Sequence, residues 1–387
     1  MNQPPRIFIS AAESSGDANA AALAAAILKL APNTQLHGIG GRHMASAGVN
    51  LLAESTSKAA MGIAAATRIL ESLKLLRSTR DFYTQSPPDL AICVDSWSLN
   101  KHFAKLARQF GRPVLYFVAP QAWAWRQGRV KTMRQCIDHL ACLLPFEAPW
   151  YTEHGLAASY VGHPLFDKLP IPRPRSYDPA KPPTIGLLTG SRESEVAKNW
   201  PRLLEVACQL SARFPGCKFV VPSNSITHPR ITQSPLPATI AANTLIRQDE
   251  FDSLVPTCDL CITVSGTATL HVALHGVPML IVYAGSRLLW EALGRFIIPT
   301  RTFGLINLLA ANAPRPHPDT QIMPEFIPWH GPVAPVVDAA SRWLSDPTLL
   351  RQKSMQLVEV IRSIHRPDSA AAAAHIALDL IQKRTRQ

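Results

Sequence analysis

Short apolar runs alternate with longer amphipathic ones twice along this chain, and that alternation narrows the available folds more than any other feature. Arg6–Ser10 reads as a strand, Asn19–Leu30 as a helix, and Thr34–Ile39, Leu90–Val94 and Val114–Val118 as further strands. This is the pattern of βαβ units around a parallel sheet. After Gly162-His163-Pro164, residues 168–183 are dense in proline and basic side chains, which suit neither helix nor central strand. A second series then begins at Thr184–Leu188, followed by a helix near Trp200–Phe214 and strands at Lys218–Val221, Leu260–Val264 and Met279–Tyr283. The expectation is α/β: two doubly wound, Rossmann-like domains over 1–167 and 184–346, joined by a linker at 168–183. A ligand is expected between them, near the carboxyl ends of their strands. Residues 311–337 read as a proline-rich loop over that ligand, and 347–387 as helices, with alanines at 370–374.

The chain's 387 residues suffice for two cores, and 47% hydrophobic with 17% charged residues excludes disorder. Lys and Arg exceed Asp and Glu by 12, which asks for an anionic partner: a phosphorylated substrate, an anionic membrane surface or nucleic acid. The basic residues are dispersed rather than interleaved with stacking aromatics along one segment, which disfavours nucleic acid. No apolar run reaches the roughly eighteen residues of a membrane span, and the N-terminus lacks a signal peptide's apolar core. Seven cysteines scattered through apolar segments fit a reducing cytoplasm. Cys258-x-x-Cys261 has half-zinc spacing with nothing to complete it, and the Asp-x-Asp triplet of many Mg²⁺-dependent nucleotide-sugar enzymes is missing. Neither a metal nor a cofactor is expected.

Five segments carry candidate chemistry. The loop Ser10-Ala-Ala-Glu13-Ser-Ser15-Gly16-Asp17 joins a strand to a helix, where free N–H groups favour an anion or a hydroxyl-rich ligand, although capping of the helix by Ser15 and Asp17 is the commoner reason for such residues at such a turn. Asp95 follows the apolar strand 90–94 directly, a place where a carboxylate can accept a proton from a substrate hydroxyl, or merely turn the chain. Trp123 and Trp125 beside Arg126 and Arg129 suit a phosphate, a sugar face or a lipid headgroup. Gly190-Ser191-Arg192 and Ser265-Gly266-Thr267 end strands with small-residue turns, and two such turns in one domain suit a nucleotide diphosphate. Gly38-Ile39-Gly40-Gly41 fails the dinucleotide fingerprint because His43 stands at the third glycine.

Taken in order, these segments resemble the lipid-A-disaccharide synthase family along nearly the whole chain. The family's G-E-x-S-G-D loop corresponds to Ala12–Asp17, its G-I-G-G to Gly38–Gly41, its M-G-I to Met61–Ile63, and its W-A-W-R-x-x-R to Trp123–Arg129. Leu144-Pro-Phe-Glu147, Val161-Gly-His-Pro164, Gly190–Arg192, Ser265–Leu270, Asn307–Ala310 and Pro324-Glu325 match as well. The resemblance implies a GT-B architecture whose C-terminal helices, 347–387, return to the N-terminal domain. It implies an inverting glycosyltransferase that joins UDP-2,3-diacylglucosamine to 2,3-diacylglucosamine 1-phosphate in lipid A biosynthesis. Asp95 would be the base and Arg192 would aid UDP departure. Gly190, Ser191, Arg192, Ser265, Gly266, Thr267, Thr269, His271, Asn307 and Glu325 would line the donor site. Glu13, Ser15, Gly16, Asp17, Met61, Trp125, Arg126 and Arg129 would lie on the acceptor or lipid side.

The chain departs from the family where polar groups are usual: Ser98 replaces the second carboxylate of the aspartate loop, His271 a glutamate suited to ribose, Ala65 a glutamate and Pro328 a glutamine. A divergent sugar-nucleotide epimerase or hydrolase, or a transferase with altered substrates, is therefore the alternative; an inactive membrane-bound scaffold is a further one. A cytoplasmic protein held peripherally at the inner membrane is expected, with the homodimer left open.

Overall fold

The computed structural model describes residues 4–55, 65–285 and 300–385. The chain forms two compact units, one of Met1–Lys168 with Arg366–Gln387, the other of Leu169–His365.

The first unit is built on a seven-stranded parallel sheet: β1 (Arg6–Ala11), β2 (Gln35–Gly40), β3 (Asn50–Glu54), β4 (Leu90–Val94), β5 (Val114–Phe117), β6 (His139–Cys142) and β7 (Ala158–Tyr160). Its order is β3-β2-β1-β4-β5-β6-β7. Parallel strands are covered on both faces by their crossover helices, which is why β4, Leu-Ala-Ile-Cys-Val, is buried at every position. Along β1 the side chains divide by parity. Ile7, Ile9 and Ala11 join a core with Leu23, Ala24 and Ile27 of the helix Ser14–Leu30. Phe8 packs on the other face against Tyr83 and Phe103.

The alanine run near the C-terminus has a packing role. Ala373, Ala374 and Ala377 of the helix Ser369–Thr385 enter the first unit's core against the helix Ser14–Leu30, where small side chains let two helix backbones approach closely. The chain arrives there at Arg366. A Cβ on Gly162, at φ +94°, would lie 2.0 Å from the Arg366 carbonyl oxygen, so the Val161-Gly-His-Pro164 motif needs its glycine for this crossing. Asp167 then accepts from the Asp368 amide and the Ser369 hydroxyl at the start of that last helix. The switch comes later than the sequence suggested: the helix Pro347–Ile364 packs within the second unit, and only the last helix belongs to the first.

The second unit carries a six-stranded parallel sheet: β8 (Thr184–Leu188), β9 (Lys218–Ser223), β10 (Thr244–Gln248), β11 (Leu260–Val264), β12 (Met279–Val282) and β13 (Glu325–Phe326), in the order β10-β9-β8-β11-β12-β13. The 311–337 segment, expected as loop, supplies β13 and the start of the helix Ala334–Leu344. In both sheets the strand order reverses once, between β1 and β4 and between β8 and β11. The carboxyl ends of those pairs are the crevices where open α/β sheets bind ligands.

Candidate active site

Both reversal points are occupied by the segments the sequence singled out. In the first unit, Asp95 and Ser96 leave β4 with φ +56° and +37°, in the left-handed region that costs non-glycine residues energy. The turn is held from several sides. Asn100 is fully buried; its Nδ2 donates to the Val94 and Asp95 carbonyls at 2.8 Å each, and its Oδ1 accepts from Ser10 Oγ at 2.8 Å. The buried Tyr116 hydroxyl donates to the Asp95 carbonyl. The Asp95 carboxylate accepts from the Ser96 amide at 2.7 Å, and Ser96 Oγ donates to Glu13 Oε1 at 2.9 Å. A Cβ on Gly16 would sit 3.5 Å from Asp95 Cβ, so the Glu13–Gly16 loop and Asp95 are adjacent. Val118, just after β5, also has a positive φ of 64°, which is costly for a β-branched residue. Strain concentrated at three positions by the carboxyl ends of two neighbouring strands is a common property of functional sites. Nothing in the sequence pattern marked Val118.

Asp17 has a different task from either one expected of it. It is 2% exposed, and its carboxylate accepts from the amides of Gly41 at 2.7 Å, His43 at 3.0 Å and Met44 at 3.2 Å. It thus caps the helix Arg42–Ser46, tying the first loop to the Gly38–Gly41 loop rather than capping its own helix. Ser15 is exposed in the first turn of the helix Ser14–Leu30. Met61 lies outside the described residues.

The tryptophan pair divides. Trp123 is buried, donating from Nε1 to Glu147 Oε1 at 3.0 Å and meeting Phe146 edge-on. Trp125 is 39% exposed, with the guanidinium groups of Arg126 and Arg129 over its ring at 4.9 and 4.5 Å. Glu147 also accepts from the Leu144 amide at 3.2 Å. Burial pushes its carboxyl up to about 7, against the opposing pull of these hydrogen bonds.

At the second reversal point, Gly190 follows β8 with φ +106°, and a Cβ there would come within 2.4 Å of Glu195 Oε2. That oxygen accepts from the amides of Ser191 at 3.0 Å and Arg192 at 3.3 Å, while Arg192 Nη1 lies 3.3 Å from Glu195 Oε1. The turn therefore presents two amides and a guanidinium to a carboxylate of its own helix, Glu193–Arg213. After β11, Ser265 Oγ donates to the Phe303 carbonyl at 2.8 Å. Gly266, at φ +142°, and Thr267 are exposed at the start of the helix Thr267–Leu274. Thr269 is buried, donating to the Gly266 carbonyl.

Two expected donor-site residues hold neighbouring segments of the fold. Asn307 is fully buried; it donates to the Met323 carbonyl and Glu325 Oε1 and accepts from the Ile322 and Met323 amides. Glu325 accepts from the Phe303 and Gly304 amides at 2.7 and 2.8 Å, capping the helix Leu305–Ala311; burial raises its carboxyl above the usual range. His271 Nε2 lies 2.6 Å from Asp252 Oδ1, and its ring stacks on Phe251 at 4.1 Å.

Two parallel α/β units with polar, glycine-containing turns at both strand-order reversals define a GT-B protein. Solved structures of similar fold include MurG of Acinetobacter baumannii (TM-score 0.58, 18% identity, 98% of this chain and all of that one). Another is the UDP-GlcNAc 2-epimerase of Neisseria meningitidis bound to UDP-GlcNAc (TM-score 0.56, 11% identity, 98% and 100%). The family model described as lipid-A-disaccharide synthetase matches residues 7–379. The lipid-A-disaccharide synthase of Geobacter sulfurreducens is 34% identical over 391 residues, covering 99% of both chains. That of Myxococcus xanthus is 33% identical over 393 residues, covering 98% and 99%. The chain belongs to the lipid-A-disaccharide synthase family and is a glycosyltransferase of lipid A disaccharide synthesis.

Proposed function

We propose that the chain transfers the 2,3-diacylglucosaminyl group of UDP-2,3-diacylglucosamine to the 6-hydroxyl of 2,3-diacylglucosamine 1-phosphate, with inversion. The observation that carries this reading is Asp95, a carboxylate held in a left-handed turn at the β1/β4 reversal by Asn100 and Tyr116. It accepts the hydroxyl proton as the acceptor oxygen forms its bond to the anomeric carbon. The bond to UDP breaks, and the electron pair leaves on the diphosphate. Arg192, with the amides of Ser191 and Arg192 and the exposed Gly266-Thr267 turn, neutralises that charge. The diphosphate takes the place of Glu195 on those amides. Thr269, Asn307 and Glu325 hold the donor loops rather than the nucleotide.

Both substrates are acylated, and the first unit offers a matching surface. A groove of about 770 Å³ between the helices Ala65–Gln85 and Trp97–Gln109 is lined by Leu70, Leu73 and Leu76 together with Lys74, Arg77 and Lys105. Leu70 and Leu73 are 60% and 57% exposed. Leucines beside cations suit an anionic lipid surface, as does Trp125 between its two arginines. No described helix is long and apolar enough to cross a membrane. We therefore place the protein peripherally at the cytoplasmic face of the inner membrane.

The test is a transfer assay with both acylated substrates. Asp95→Asn should lower turnover about a hundredfold or more while circular dichroism is unchanged. Unchanged turnover removes Asp95 from the mechanism, and UDP release without acceptor favours a hydrolase.

A further inference from the structure

Three metal-ligating side chains converge at a place no catalytic step above uses. The helix Thr267–Leu274 carries His271 and, one turn on at its C-terminal end, His275; the short helix Phe251–Leu254 brings Asp252 against both. Asp252 Oδ1 lies 2.6 Å from His271 Nε2 and 2.9 Å from His275 Nε2, and one donor atom from each of the three residues lies within 4.8 Å of the others. The imidazoles lie 26° from parallel with centroids 5.6 Å apart, and Phe251 stacks on His271 at 4.1 Å. Their side chains are only 20% and 10% exposed, whereas that of Asp252 is 57% exposed.

We propose that Asp252, His271 and His275 form a binding site for a divalent transition cation of the Zn²⁺ class. Histidines four residues apart on a helix place two nitrogens on one side of a single ion. Two imidazoles and one carboxylate favour Zn²⁺, Co²⁺ or Ni²⁺ over Mg²⁺ or Ca²⁺, which prefer all-oxygen shells. Ligand bonds of about 2.0–2.2 Å in tetrahedral geometry put donor atoms roughly 3.3 Å apart. The two Asp252–histidine separations, 2.6 and 2.9 Å, are shorter by about half an ångström, a difference that small rotations of an exposed aspartate and two imidazoles accommodate. Three protein ligands leave at least one position for water or an anionic oxygen, which distinguishes this site from a closed structural one. The sequence hid the triad because Asp252 is far from the histidines along the chain and belongs to no spaced motif.

The test is titration of the full chain with Co²⁺ and, separately, Zn²⁺. Co²⁺ should give visible ligand-field bands at one equivalent without the near-ultraviolet thiolate bands that binding to any of the seven cysteines would produce. Zn²⁺ should raise the midpoint of thermal unfolding. Asp252→Asn, a change at an exposed side chain, and His275→Gln should each weaken Co²⁺ binding at least tenfold, with circular dichroism unchanged. Thiolate bands, binding that both variants retain, or no binding at micromolar to tens of micromolar metal would each overturn the proposal and leave a metal-free hydrogen-bonded cluster.

Discussion

Replacing Asp17 by alanine removes a 2%-exposed carboxylate that accepts three backbone N–H groups. Gly41 and Met44 are buried and share Oδ1, whereas His43, served by Oδ2, is exposed and can turn to water. The alanine variant therefore orphans two buried amides at roughly 1–3 kcal/mol each and loses a favourable charge at a helix N-terminus, for a total of about 4 kcal/mol. Asparagine is milder. Its amide oxygen can still serve Gly41 and Met44, its NH₂ faces only the His43 amide, and the cost falls to about 1–2 kcal/mol. Urea unfolding followed by tryptophan fluorescence gives the two losses. Hydrogen exchange at Gly41, His43 and Met44 locates them: alanine should speed exchange at all three, asparagine chiefly at His43. If alanine costs no more than asparagine, or exchange at Gly41 and Met44 is unchanged by alanine, the carboxylate does not hold this loop pair together.

Glu147 keeps its proton to about 7 in the fold but loses it near 4.5 when unfolded, so stability falls as pH rises through that window, by about 3 kcal/mol in all, and levels off above it. Glu147→Gln should remove that decline, making its destabilisation smaller at pH 8 than at pH 5 in urea titrations; parallel profiles would refute this. Arg192→Ala should weaken UDP in calorimetry and lower turnover by about ten- to a thousandfold, as losing a preorganised charge does, and an unchanged UDP affinity would place the diphosphate elsewhere. Leu73→Ser with Trp125→Ser should reduce co-sedimentation with anionic vesicles, and salt should release the parent in part; a parent that never sediments at low salt ends the membrane reading.

The sheets were legible because buried parallel strands read as continuous apolar runs: Thr184–Leu188, Leu260–Val264 and Leu90–Val94 are strands in the fold over those same residues. The strands that escaped are short or lie towards the sheet edges. β10, Thr-Leu-Ile-Arg-Gln, is half exposed, β7 is three residues long, and β13 is two residues inside a proline-rich segment. The helix Glu193–Arg213 begins two turns before its expected start, with Pro201 inside it, and a proline read as punctuation hides the turns before it. Individual site residues were visible as types but not as partners. No periodicity tells that Asp17 reaches Gly41, that Asn307 spends its whole amide on the 322–325 segment, or that Asp252 meets His271, because each contact closes a long loop.

Those long-range contacts share a chemistry that bears on how the chain diverges from its family. Asp17, Glu147, Glu195 and Glu325 all stand in or beside the family's motifs, and each accepts backbone amides rather than facing only solvent. A carboxylate so placed fixes a loop, and losing it orphans donors inside the fold, which limits substitution there. Asp17, Glu147 and Glu325 stand at the matching positions of those motifs. Of the four exchanged positions, Ser98 is exposed on a helix, the His271 side chain is only 20% exposed and is reached by Asp252, Pro328 is partly buried in a loop, and the side chain of Ala65 lies outside the described residues. A side chain that holds no backbone amide can change without stranding one. The expected outcome is that the His271 exchange bears on what the second unit binds and leaves its frame intact. His271→Glu should confirm that division. It sets a second carboxylate against Asp252 Oδ1, now 2.6 Å from the imidazole, so it should abolish Co²⁺ ligand-field bands or shift them strongly while the unfolding midpoint near neutral pH moves little. A large loss of stability would show instead that His271 belongs to the frame.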